Sequence, residues 1–256
     1  MNGLRLDWEW NKIRIWLWIS MDLEEVMEEL HKLSDPEAVK GMARFGITSE
    51  NNLGISVKVL RKMAKEMGKD HPLALKLWDT GVHDARMLAC FLSEPDAVTL
   101  DQMESWVMDF DSWDICDTCC NHLFRATSYA YPKVYEWSAR DEVFVKRAGF
   151  VLMACLSVHD KTADDIVFCD FLPVIVRESG DERNFVKKAV NWALRQIGKR
   201  TLTLNRLAID VAKEIELSDT RSGRWIARDA IRELMSDKVQ ERLLKKDQKQ
   251  REAAKK

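Results

Sequence analysis

The sequence predicts an all-α chain whose helices pair into a solenoid of repeats. Three observations predict it: a composition poor in strand and turn formers, helical periodicity along almost the whole length, and a short motif that returns every 41 residues. Of 256 residues, 46% are apolar and 32% charged, with only 10 Gly, 5 Pro and 3 Tyr. This is too apolar for a disordered chain and too charged for a membrane protein, and its wealth of Ala, Leu, Met, Lys, Arg and Glu favours helices. A chain of this length buries enough surface to hold a large core without disulfides or structural metal.

From the N-terminus onward, residues 1–20 stand apart. They hold Trp8, Trp10, Trp16 and Trp18, four of the ten tryptophans. We read them as an extension outside the core, with a partner-binding or membrane-surface segment as the sharper alternative. The apolar runs near Ile13–Ile19 and Phe150–Val158 are too short to span a bilayer, and Asp7 and Glu9 ahead of the first make a poor signal peptide. Past Met21, Leu23, Val26, Met27 and Leu30 mark the apolar stripe of an acidic helix. A second stripe, Val57, Leu60, Met63, Ala64 and Met67, carries Lys58, Arg61, Lys62 and Lys65 on its polar side. The prolines punctuate the pattern, and Asp35-Pro36-Glu37 and Glu94-Pro95-Asp96 have the form of helix starts, with a capping residue before a first-turn proline.

The repeat follows. Val145-Lys146-Arg147-Ala148, Val186-Lys187-Lys188-Ala189 and Ala227-Arg228-Asp229-Ala230 are spaced so that Ala148, Ala189 and Ala230 fall 41 residues apart, each after a short polar turn and before an apolar run. A period near 40 built from helix pairs is the signature of HEAT or armadillo-like helical repeats, an α-α superhelix. Such units bury their apolar faces only by stacking, and the stack presents an extended surface to a partner. We place the repeat domain at 21–244 and a charged tail at 245–256, and read the stretch Lys238–Lys256, with charges of both signs, as a fraying helix or disorder.

Net charge is −2, so any nucleic-acid surface must be local. Residues 183–200 carry six basic groups and no acid, and Arg221, Arg224 and Arg228 come next. Basic clusters on successive repeats can track a phosphate backbone. Taken singly, each also reads as a solvated helix face. Cys116, Cys119, Cys120 and nearby His122 invite a zinc reading, but Cys155 and Cys169 supply no second ligand pair. With Cys90 they read as reduced thiols inside helices of a cytosolic protein. No phosphate-cradling glycine loop is present, and no cofactor is expected.

Five segments stand out together: Leu77-Trp78-Asp79-Thr80-Gly81-Val82-His83-Asp84-Ala85-Arg86, Asp111-Ser112-Trp113-Asp114-Ile115-Cys116-Asp117, Val145-Lys146-Arg147-Ala148, Lys187-Lys188-Ala189-Val190-Asn191-Trp192-Ala193-Leu194-Arg195-Gln196, and Arg224-Trp225-Ile226-Ala227-Arg228-Asp229-Ala230. Their order and separations resemble the AlkD-type DNA alkylation repair family, over roughly Met21 to Leu244. The resemblance implies a monomeric glycosylase that releases cationic alkylpurines, such as 3-methyladenine and 7-methylguanine, from duplex DNA. It assigns Trp113, Asp117 and Trp192 to the catalytic cleft, and Arg147 to its support. Phe45 falls where the family often has Tyr, so a hydroxyl is missing there. Gln196 stands where an acid is often seen, which predicts a poorly paired Arg195. Lys187, Lys188, Arg195 and Arg228 complete the expected DNA contacts.

The residue types suit that chemistry. Trp113 and Asp117 are four apart and share a helix face. An N-alkylated purine carries positive charge and leaves without a general acid. The sugar gains oxocarbenium character, which a nearby carboxylate stabilises while it positions water. Indole faces attract a cationic nucleotide. The competing expectation is a repeat module that binds DNA or a protein without catalysis.

Overall fold

The computed structural model describes residues 21–253. The tryptophan-rich segment 1–20 lies outside them. The described residues form fifteen α-helices and no strand. In chain order these are α1 (Leu23–Lys32), α2 (Pro36–Ala43), α3 (Val57–Met67), α4 (His71–Asp79), α5 (His83–Leu92), α6 (Leu100–Met108), α7 (Trp113–His122), α8 (Ala130–Ser138), α9 (Val143–His159), α10 (Asp165–Cys169), α11 (Leu172–Glu178), α12 (Asn184–Gly198), α13 (Leu202–Glu216), α14 (Arg221–Leu234) and α15 (Asp237–Ala253).

Local chemistry accounts for the helix starts. Asp22 and Glu25 form a reciprocal capping box at α1, with bonds of 2.9 and 3.0 Å. The Asp35 carboxylate accepts from the backbone N–H groups of Glu37 and Ala38, and Pro36 sits in the first turn, as the sequence pattern predicts. The second such pattern behaves differently. Pro95 opens only a 3-10 turn, Pro95–Ala97. Val98 is extended, and α6 begins later, where the Thr99 hydroxyl accepts from the Gln102 N–H at 3.1 Å.

The chain divides into two compact units. Among the described residues, the first comprises 21–106 together with Asp111–Thr127, and the second comprises Val107–Phe110 and 128–253. In the first unit α5 is central and packs against α3, α4 and α7, while α1 covers α4 and α5. Trp78 and Trp106 stack there with ring centroids 3.9 Å apart. Cys90, Cys116, Cys119 and Cys120 are all fully buried in this unit, where burial pushes the Cys119 thiol well above its ordinary pKa. They behave as small core residues, and no group of His, Cys, Asp and Glu suited to a metal occurs among the described residues.

The second unit is the repeat. The helix pairs α8/α9, α11/α12 and α13/α14 stack in two layers, with α9 against α12 and α12 against α14 on one side and α8, α11 and α13 on the other. Ala148, Ala189 and Ala230 are completely buried in α9, α12 and α14. The 41-residue period therefore marks the seam of the stack. Polar ladders reinforce both ends of that seam. At the helix starts, Arg183 donates to the Asp141 carbonyl, and the Ser222 hydroxyl donates to the Asp181 carbonyl at 2.7 Å. At the helix ends, Arg200 donates to the carbonyls of Ser157 (3.1 Å), Asp160 and Ala163 (2.6 Å). One repeat later, Arg242 and Lys246 donate to the carbonyls of Lys199 and Arg200 at 3.1 and 2.7 Å. These side chains satisfy carbonyls at and just beyond the C-termini of α9 and α12 from the following repeat. Of the segment Lys238–Lys256, expected as a fraying helix or disorder, the described residues continue the helix α15 as far as Ala253, held by those bonds and by buried Val239 and Leu243.

Candidate functional site

In the first unit, Trp113 opens α7 and Asp117 lies one turn further on. The neighbouring positions Asp114, Ile115, Cys116, Cys119 and Cys120 are buried, which leaves Trp113 and Asp117 half-exposed on the accessible face of the helix. The Trp113 indole N–H donates to the Phe45 carbonyl at 3.0 Å, so the chain just after α2 fixes the ring. The Phe45 side chain itself is 73% exposed.

A buried pair supports this helix start. His83 Nε2 lies 3.0 Å from Asp114 Oδ2, and His83 Nδ1 lies 3.3 Å from the Ser49 hydroxyl. Burial alone would lower the imidazole pKa. The hydrogen bond and charge of Asp114, with further charge from Asp84 and Asp111, outweigh it and raise the pKa. Burial would likewise raise the Asp114 pKa, and its bond and attraction to His83 hold it below the usual value. Asp84 accepts the N–H groups of Leu53 and Ile55 at 2.6 and 2.8 Å, and the His83 N–H donates to the Asn51 carbonyl. The motif around residues 77–86 therefore orders the loop between α2 and α3 and the first turn of α7.

In the second unit, Arg147 in α9 is buried, and its guanidinium donates to the Phe185 carbonyl at 2.6 Å, in the first turn of α12. Its neighbour Lys146 is also buried and pairs with Glu178 at 2.7 Å and Asp181 at 3.8 Å. This basic pair ties repeats together, and its burial favours orientation over direct phosphate contact. Trp192 is half-buried on α12. Lys188 is exposed, and Lys187 lies with its ammonium 5.4 Å from the centroid of the Trp225 ring.

Arg195 departs from expectation. Gln196 does not leave it poorly paired, because Glu233 of α14 binds its guanidinium and Asp229 lies 3.5 Å away. The acids come from the next repeat, 38 and 34 residues along. Burial would raise the Glu233 pKa, but the Lys199 bond and the Arg195 charge outweigh it and lower the pKa. Arg228 is exposed and makes a 3.4 Å surface pair with Glu216.

The structure thus gathers Phe45, Trp113 and Asp117 in one unit and Arg147, Lys187, Lys188, Trp192, Arg195 and Arg228 in the other. The sequence marked Arg221, Arg224 and Arg228 as a basic cluster but did not show the groove that they form with Trp225 and Arg232. Arg221, Arg224, Trp225, Arg228, Asp229 and Arg232 line a groove of about 380 Å³ on α14. The signal was present in the spacing, since residues 221, 225, 228 and 232 form one helical stripe.

Comparison with known proteins agrees with this architecture. No curated protein matches the chain. A solved structure described as "a new family of proteins related to the HEAT-like repeat DNA glycosylases with affinity for branched DNA structures" superimposes with a TM-score of 0.70. It is 20% identical, over 84% of this chain and 96% of that one, and so shares the fold. The family model described as "DNA alkylation repair enzyme" matches residues 26–234. Spanning every helix from α2 to α14, that match makes the chain a member of the DNA alkylation repair enzyme family.

Proposed function

We propose that the protein is a DNA glycosylase that hydrolyses the N-glycosidic bond of cationic alkylpurines, including 3-methyladenine and 7-methylguanine, in duplex DNA. The observation that carries this reading is the pairing of a fixed indole and a carboxylate, Trp113 and Asp117, on the accessible face of α7. The lesion's own positive charge makes the base a leaving group. Asp117 stabilises the oxocarbenium-like sugar and positions the attacking water, whose oxygen bonds to the anomeric carbon as the purine leaves neutral with the bonding pair and the water's proton passes to Asp117. Trp113 presents an aromatic face to the cationic nucleotide, a role shared by Trp192. Arg147 acts as a positioning residue, and Lys187, Lys188, Arg195 and Arg228 supply charge toward the backbone.

The test is base release from methylated DNA, measured by chromatography beside salt-dependent duplex binding. Asp117→Asn is expected to bind duplex as the wild type does and to lower 7-methylguanine release at least a hundredfold, a loss typical of one electrostatic catalytic group. Release at the wild-type rate ends the assignment of Asp117.

A second reading, DNA binding without base excision, is favoured by the structural relative described above, whose description names affinity for branched DNA structures. The absent hydroxyl at Phe45 points the same way. Salt-dependent binding by the wild type with no release would select it.

A further inference from the structure

The arginine–tryptophan groove on α14 has no task in the reading above beyond Arg228. Its composition is specific. Arg221, Trp225, Arg228 and Arg232 occupy successive turns of one exposed stripe, opposite the buried stripe Ile226, Ala227, Ala230 and Leu234. Arg224 joins them from the side, where it donates to the Ser218 carbonyl at 3.2 Å. Against four guanidiniums the lining holds one carboxylate, Asp229. Arg228 and Arg232 do engage acids, Glu216 and Asp229, but with side chains 72% and 78% exposed. The Arg228–Glu216 pair lies at the surface and exchanges readily for a phosphate, while Asp229 is mostly buried and is already held by Asn191 and Arg195.

A duplex backbone needs only such charge. It does not need an indole. Trp225 is 40% exposed in the middle of the stripe, where an apolar ring gains nothing from water. One cation, Lys187, already lies over the ring. An aromatic platform flanked by cations at every turn is the arrangement that binds an unpaired strand, with a base stacked on the ring and phosphates held on either side. We propose that this groove is a second nucleic-acid site that binds an unpaired DNA strand by stacking a base on Trp225, with Arg221, Arg228 and Arg232 on the flanking phosphates. The inference rests on the DNA-directed function proposed above and adds a substrate feature to it: single-stranded character beside the duplex.

The test compares two fluorescein-labelled probes by anisotropy, oligodeoxythymidylate of about 15 nucleotides and a blunt duplex of the same length, against the full chain. Trp225→Ala is expected to weaken oligodeoxythymidylate binding about tenfold, the loss of one stacked base, and duplex binding less than twofold. Trp225→Phe should recover most of the loss, and Arg221→Gln should weaken the single strand and flatten its salt dependence. If Trp225→Ala lowers both affinities equally, or leaves both unchanged, the stacking site is wrong. Duplex binding and base release by the same preparation report on the glycosylase reading separately. A wild type that binds neither probe overturns both.

Discussion

Asp114 and His83 show how much one buried pair decides. Neither touches solvent appreciably, and together they hold the turn that sets Trp113. Because His83 has a raised pKa in the folded state, its contribution is complete below about pH 6.5 and is lost as pH rises through the folded value. Asp114 has a lowered pKa, so its contribution is present above about pH 3.9 and is lost as pH falls through the folded value. The pair is strongest between those limits. Asp114→Asn is expected to cost about 3 kcal/mol near pH 5.5, from the imidazolium left buried, with a smaller difference above neutrality. Urea denaturation of both proteins at a series of pH values measures it, and a difference flat across pH would show that the imidazole is neutral throughout. None of this was legible in sequence. His83 and Asp114 are 31 residues apart, and no periodicity announces a partner on another helix. Trp113 and Asp117 were singled out by the family resemblance, and their local spacing added only that they share a helix face.

Among the elements, α9 is held against neighbouring backbone at a glycine. Gly149 lies mid-helix, where a Cβ would sit 2.6 Å from the Ser138 N and 3.0 Å from its Cα, at the end of α8. Backbone cannot yield as a flexible side chain does, so the two helices pack at a distance only glycine permits. Gly149→Ala is expected to destabilise the protein by about 2–3 kcal/mol despite alanine's better helix propensity. Thermal unfolding followed by circular dichroism checks the sign, and a stabilised variant would mean that α8 shifts freely. The sequence gives the helix here from its apolar run, and a glycine within it looks like a flaw until the neighbour is seen. The opposite error arose at Pro95, where a good local start signal lost to an extended Val98 and to the Thr99 cap.

For the molecule as a whole, the repeat period was the most readable feature, because buried alanines at one seam must recur with the architecture. The ladders along the repeat ends were not readable. Arg200 looks like one more member of a basic run, yet it is 7% exposed and holds three carbonyls, those of Ser157 and Asp160 at the end of α9 and that of Ala163 in the loop beyond. The charge map of the sequence therefore overstates the free cationic surface, since Lys146, Arg147 and Arg200 are interior ties. Arg200→Met should lower stability by about 2–4 kcal/mol by leaving those carbonyls unmet, with duplex affinity unchanged where the variant is folded. A variant that keeps full stability and loses DNA binding would instead place Arg200 on the DNA surface.

The bond from the Trp113 ring ends on a main-chain oxygen, not on the Phe45 side chain. Whatever residue occupies position 45 offers that same oxygen. The indole's grip is thereby insulated from the identity of its neighbour, and position 45 is at liberty to vary, with its ring turned outward, while the tryptophan stays where it is.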